Sequence, residues 1–227
     1  MLDTSLQTQI LTLTLNGPSS VNALNEQNYE ALHVALADAR DHPDVRAVVI
    51  AASGRKAFCA GADLKEYADR DPHEAEQLQM KFLLRMLIDL IEFPKPVVAA
   101  VQAPAIGAGM MLACACDEIV MAEETWMSLP EAQINIPAPI AAVIVGRRVR
   151  LGVMHALLQR ADRISSAQSV AQGLVDELAP AQDVCEKARQ RLSVYSGISP
   201  QVYDVNKRWL NRGLREQLEN ASRAVHI

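Results

Sequence analysis

The stretch from Lys95 to Met111, KPVVAAVQAPAIGAGMM, constrains this chain more than any other. After Pro96 comes the apolar, β-branched run Val97-Val98-Ala99-Ala100-Val101, which predicts a buried strand. The chain then turns through Pro104 into Ile106-Gly107-Ala108-Gly109. It continues as Met110-Met111-Leu112-Ala113-Cys114-Ala115, the buried start of a helix. A strand, a glycine turn and a helix N-terminus leave free backbone N–H groups at the positive end of a helix dipole. Such a corner suits an anion, or an oxygen that becomes one during a reaction. Taken alone it reads equally as a close-packing turn, so a partner elsewhere in the chain has to decide.

A second run of small residues supplies a candidate partner: Ala57-Phe58-Cys59-Ala60-Gly61-Ala62-Asp63-Leu64. Gly61 permits unusual dihedrals or close backbone approach, and Asp63 is placed to cap the next helix. One reading is a plain turn between strand and helix. The other is a backbone N–H, that of Ala60, aimed into a cleft.

Around these turns the chain alternates strands and helices. Ile10 to Leu15 alternates cleanly and predicts a half-buried strand, ended by a loop over residues 16–20. Asn25 is placed to cap a helix running to about Arg40, with Ala31, Leu32, Ala35, Leu36 and Ala39 along one face. Val45 to Ala52 predicts a strand covered on both sides, and Pro72 to Phe93 a helix with a wide apolar face. The acidic segment between Lys65 and Pro72 is expected to be mobile. Asp117 to Met121 predicts a strand, Thr125 to Leu129 a short edge strand, and Ala132 to Pro139 a loop held against the core. Helical stretches follow over 140–149, 152–160, 166–172 and 183–195, with a last short strand over 174–178. Pro200 opens one terminal helix carrying Val202, Val205, Trp209, Leu214 and Leu218. A core over 1–180 with a helical appendage over 181–227 is the expected division.

Composition narrows the function. Half of the 227 residues are apolar but only 4% are aromatic, so the core must be aliphatic. The formal charge of −5 and the lack of a basic stripe argue against nucleic-acid binding. Cys59, Cys114, Cys116 and Cys185 show no disulfide framework; buried thiols in a reducing compartment are expected, and no metal site. The N-terminus lacks a leader pattern and no apolar run reaches membrane-span length, so the expectation is a soluble, cytoplasmic protein without a membrane partner.

The motifs then fall into one order. Phe58-Cys59-Ala60-Gly61-Ala62-Asp63-Leu64-Lys65-Glu66 resembles the first signature of the crotonase superfamily, the enoyl-CoA hydratases and isomerases. Pro96 to Val101 through Gly107-Ala108-Gly109 resembles the second. Asp117, Pro130-Glu131, residues 162–166 and Gly173-Leu174-Val175-Asp176 come after them in the expected sequence. The resemblance implies an α/β fold, a crotonase-like spiral of ββα units, with C-terminal helices that build homotrimers, often paired into hexamers. It implies acyl-CoA thioester substrates and no cofactor beyond the coenzyme A that the substrate carries. It places two oxyanion-hole amides on Ala60 and Ala108, and a substrate-binding lining on Ala23, Ala60, Gly61, Ala62, Asp63, Leu64 and Met111. Lys56 or Lys65 would be placed to meet CoA phosphates, although surface lysines are more often only solvated.

The family's hydratases hold the attacking water between two glutamates. Met111 stands at the first of these positions, and Glu131 keeps the second. A thioether cannot orient water as a carboxylate does, whereas one carboxylate suffices to carry a proton between two carbons. The run Glu131 to Pro139 also resembles that of the single-glutamate Δ3-Δ2-enoyl-CoA isomerases. The expectation is therefore double-bond isomerisation, with Met111, Ile134 and Ile136 raising the Glu131 carboxyl by desolvation. The alternatives are a hydratase with a second acid from elsewhere, such as Glu66, and a silent acyl-CoA-binding subunit.

Overall fold

The computed structural model describes residues 1–17 and 21–224. Part of the loop expected after Leu15, Pro18-Ser19-Ser20, lies outside the described residues. The chain opens with a hairpin, β1 (Leu2–Gln7) and β2 (Ile10–Leu15), then α1 (Glu26–Asp41) and β3 (Ala47–Ala52). A 3-10 turn (Leu64–Tyr67) leads to α2 (Pro72–Ile91), β4 (Val97–Val101), β5 (Ala105–Ile106) and α3 (Ala108–Ala115). Next come β6 (Glu118–Ala122), β7 (Trp126–Ser128), a 3-10 turn (Glu131–Ile134) and α4 (Pro139–Ile144). The remainder is α5 (Leu151–Arg160), β8 (Ile164–Ser165), α6 (Ser166–Ala171), β9 (Glu177–Ala179), α7 (Val184–Leu192), α8 (Pro200–Leu210) and α9 (Leu214–Arg223).

Among the described residues six strands form one sheet in the order β1-β2-β3-β4-β6-β9, and three form another in the order β5-β7-β8. From β2 to β9 the large sheet is parallel, and β1 closes it antiparallel. The runs β4–β5–α3 and β6–β7–α4 repeat one pattern: a strand in the large sheet, a strand in the small sheet, then a helix. This repetition is the spiral of ββα units that the motifs imply.

Two-residue alternation explains both faces of the large sheet. Val48, Ile50, Val97, Ala99, Val101, Ile119 and Met121 enter the main core with α1, α2 and α3. Ala47, Val49, Ala51, Val98, Ala100, Val120 and Ala122 face the other way and meet Val184, Ala188 and Leu192 of α7. Burial on both faces is why these strands read as unbroken apolar runs. It also places residues beyond 180 inside the fold: α7 covers the second face, and Leu214, Leu218 and Ala221 of α9 join the main core. The expected break between a core and an appendage at 180 does not match this packing.

Other expectations are corrected. β1 was not foreseen, because LDTSLQ is mostly exposed and its turn, Thr8-Gln9, lacks the usual hairpin residues although both adopt positive φ. β7 lies in the middle of the small sheet rather than at an edge. The terminal helix is two helices, broken before Gly213, whose φ is +75°. The acidic segment makes contacts that the sequence did not suggest: Tyr67 is buried, Arg70 lies over its ring and pairs with Glu26, and Asp71 caps α2. No helix among the described residues is long and apolar enough to cross a membrane.

One ion pair ties α8 to the sheet. Lys207, 4% exposed, donates from Nζ to Asp117 Oδ2 at 2.7 Å, and the same oxygen accepts from the Val97 N–H at 2.8 Å. Removing one member of such a pair leaves the other charge buried and uncompensated. Lys207→Ala is expected to lower the unfolding free energy by about 3 kcal/mol, measured from denaturant midpoints. An unchanged midpoint would show that this pair does not hold α8.

Candidate active site

The two glycine turns are stitched together. Phe58 N–H donates to Pro104 C=O at 3.0 Å and Ile106 N–H to Cys59 C=O at 2.9 Å. Gly109 sits directly on Cys59: a Cβ there would come within 2.3 Å of the Cys59 carbonyl oxygen. Gly61 (φ +91°) lies similarly close to the second turn, since a Cβ on it would be 3.0 Å from Ile106 O and 3.5 Å from Ala108 N. Only glycine permits both approaches.

A third segment fixes the first turn from its other side. Leu24 N–H donates to Gly61 C=O at 2.8 Å, and Asp63 N–H to Leu24 C=O at 2.9 Å. Asn22 (φ +51°) is buried and serves as the hub. Its Nδ2 donates to Ser53 C=O and Ala57 C=O, each at 3.0 Å, and its Oδ1 accepts from Gly17 N–H. Sequence reading passed over Asn22; its place between a Gly-Pro loop and a small-residue turn was the available signal.

This stitching decides which amides are free. Ala60 N–H donates to Val21 C=O at 2.9 Å, so the expectation that Ala60 aims a free amide into the cleft is corrected. Two residues on, the Ala62 N–H has no acceptor among the described residues, because the hydrogen bonds on either side are made by Gly61 and Asp63. Ala108 opens α3, where an N–H has no partner within the helix, and none is found elsewhere among the described residues.

Both amides line one cleft of about 160 Å³, with Ala60, Gly61, Leu64, Met111, Pro130 and Glu131 also in its wall. Tyr29, Leu83, Ile106, Ile134, Ile136 and Ile140 make much of the rest apolar. Two expected lining residues are not in this wall: Ala23, whose carbonyl accepts from Asn28 Nδ2, and Asp63, which caps the following 3-10 turn. Lys56 and Lys65 are exposed and outside the wall as well. A roomier cavity of about 460 Å³ beside Arg46, Lys95 and Arg189 includes no residue of either turn.

Glu131 opens the 3-10 turn after Pro130. Its Oε1 lies so near the second turn that a Cβ on Gly107 (φ +54°) would be 2.7 Å away. Its Oε2 is buried without a hydrogen-bond partner. Desolvation raises the carboxyl above the ordinary glutamate range, partly offset by the hydrogen bond from its own backbone N–H. The loop beyond lies against the core only at its end, where Ala138 packs on it; Ile134 is 51% exposed and Ile136 39%, and both line the cleft. Glu66 is not in the cleft; its Oε2 accepts from the Glu26 N–H at 2.9 Å, at the start of α1.

No group of three or more His, Cys, Asp or Glu residues suited to a metal occurs among the described residues. Cys59, Cys114 and Cys116 are buried free thiols, and burial pushes Cys59 up to about 12.

The chain is similar to proteins of one known family. The chain matches the family profile described as enoyl-CoA hydratase/isomerase over residues 5–226. A putative enoyl-CoA hydratase/isomerase of Bacillus subtilis, YngF, is 29% identical over 208 residues, spanning 91% of this chain and 79% of that protein. A putative enoyl-CoA hydratase of Thermus thermophilus is 36% identical over 177 residues, spanning 77% of this chain and 70% of that protein. The crystal structure of an enoyl-CoA hydratase/isomerase from Mycobacterium paratuberculosis superimposes with a TM-score of 0.87 at 26% identity, covering 99% of this chain and 91% of that one. The expected crotonase-like fold is borne out by that superposition.

Because folding raises the Glu131 pKa, the folded state favours the protonated carboxyl. The penalty for ionising it is absent below the unfolded pKa and grows as pH rises through the folded one. Glu131→Gln is therefore expected to raise unfolding free energy at neutral pH, with the gain disappearing in acid. Paired denaturation curves across pH measure it, and a destabilised variant at neutral pH would contradict it.

Proposed function

Because the chain belongs to the enoyl-CoA hydratase/isomerase family, we propose that it shifts a double bond in an acyl-CoA thioester from the 3-enoyl to the 2-enoyl position, with Glu131 as its single proton carrier. The observation that carries this reading is the desolvated Glu131 carboxyl, its buried Oε2 without a hydrogen-bond partner, in the same cleft as two backbone amides that have no acceptor among the described residues.

The thioester oxygen accepts from Ala62 N–H and Ala108 N–H. Glu131 removes a proton from C2, and the electron pair of the broken C–H bond moves into the thioester to give a dienolate. The amides hold the charge gathering on oxygen, each worth roughly 2.7–4 kcal/mol in such a site. Glu131 then returns its proton to C4, leaving the double bond between C2 and C3. Protons and electrons balance within substrate and carboxyl, and no cofactor enters the step. Met111, buried beside the amides, gives this corner of the cleft an apolar wall where water would find no anchor.

Hydration is the second reading, favoured by the names of the relatives. Glu66, a candidate for its second acid, is outside the cleft, and its carboxylate accepts from the Glu26 N–H at the start of α1. Purified protein given crotonyl-CoA in water, with products identified by mass spectrometry, separates the two: 3-hydroxyacyl-CoA as the main product would replace the isomerase reading.

Glu131→Gln is expected to lower isomerisation of 3-enoyl-CoA by about 10²–10⁴-fold with thioester binding retained. In the parent protein kcat/KM rises with pH through a midpoint above the ordinary glutamate value, since the base must be ionised. Retained turnover in the variant would remove Glu131 from the role.

The assembly proposed is a homotrimer or a dimer of trimers. Val202, Val205 and Trp209 line one exposed face of α8, and Val205 and Trp209 are 65% and 68% exposed. An apolar helix face of this kind calls for a cover. Light scattering is expected to give a trimer or hexamer, and Val205→Glu with Trp209→Glu a smaller species; a monomer in both would refute it.

A further inference from the structure

The wall of the cleft facing α2 is not uniformly apolar. Glu76, Gln79, Met80 and Leu83 all line it, at the i, i+3, i+4, i+7 spacing of one helix face. Along about 10 Å of helix the face changes character, from Leu83 and Met80 towards the C-terminal end to Gln79 and Glu76 towards the N-terminal end. Glu76 and Gln79 are partly buried, and neither side chain makes a hydrogen bond or ion pair with another described residue. Apart from Glu131, Glu76 is the one acidic residue among the described lining of the cleft.

A plain alkyl tail laid along this face would desolvate the Glu76 carboxylate and the Gln79 amide and return nothing to them. A tail ending in a hydrogen-bond donor could give to the Glu76 carboxylate and to the Gln79 amide oxygen. We infer that Glu76 and Gln79 are specificity-determining residues that select an acyl group carrying a distal donor, an amino or hydroxyl group, over an unsubstituted chain. The inference rests on the acyl-CoA reading above and deepens it, since it concerns the tail of the substrate and not the reacting carbons.

The test uses 3-enoyl-CoA thioesters of graded chain length, each in unsubstituted, ω-hydroxy and ω-amino form. At the matching length the wild-type protein is expected to favour a substituted form by about tenfold or more in kcat/KM. Glu76→Leu with Gln79→Leu is expected to reverse that preference while isomerisation of the unsubstituted chain persists. Glu76→Gln keeps the size and hydrogen-bonding capacity but removes the charge, so it separates the two donors: the ω-amino advantage is lost and the ω-hydroxy advantage retained. Thermal melts check that the variants fold.

Turnover with an unsubstituted chain preferred, or a preference unmoved by the double substitution, would overturn this inference alone. Loss of water addition to crotonyl-CoA in Glu76→Gln, with the tail preference unmoved, would also overturn it and make Glu76 a catalytic acid. If no thioester binds in calorimetry, the acyl-CoA reading and the inference fall together.

Discussion

The contact on which the site depends is the close approach of two backbones at Cys59 and Gly109. The Cys59 carbonyl accepts the Ile106 amide at 2.9 Å, and only the missing side chain of Gly109 lets α3 begin where it does. That contact sets the position of Ala108 at the head of α3, the nearness of Gly61 to it, and the room in which Glu131 reaches Gly107. Cys59 is small and buried, with its thiol pushed well above the range in which it reacts as a thiolate. It is a packing residue in the foundation of the site.

In the proposed reaction, desolvation of the cleft would serve both halves of the chemistry. It would strengthen hydrogen bonds from the Ala62 and Ala108 amides to a developing oxyanion. It also raises the proton affinity of Glu131, whose inner oxygen has no partner to stabilise its charge. Backbone donors need no side chain, so alanines would suffice at both positions in the proposed reaction. On the proposed reading the side-chain chemistry of this corner of the cleft falls to Glu131, with the Met111 thioether beside it.

Much of this was legible in the sequence, for identifiable reasons. β2 and β4 announce themselves through alternation and a β-branched run, and α1 begins at the Asn25 cap where expected. The shared cleft of Ala108, Met111 and Glu131 could be anticipated from motif order. What escaped depends on non-local pairing. Whether Ala60 or Ala62 has the free amide is settled by the Val21 carbonyl and by Leu24, far away in the chain, and no local pattern distinguishes them. β5 and β8 are two residues each, too short to show a period. Glu76 looks like any solvated glutamate on an amphipathic helix until α2 is seen to border the cleft.

The proposed chemistry requires that Ala62 and Ala108, and not Ala60, hold the thioester oxygen next to Glu131. A crystal structure of the Glu131→Gln protein with a bound 3-enoyl-CoA would show this at once. The thioester oxygen is expected about 3 Å from both the Ala62 and Ala108 nitrogens, with the Ala60–Val21 hydrogen bond intact and residue 131 against C2 of the acyl chain. A thioester oxygen bound by Ala60 with that bond broken, or an acyl chain lying away from residue 131, would contradict it.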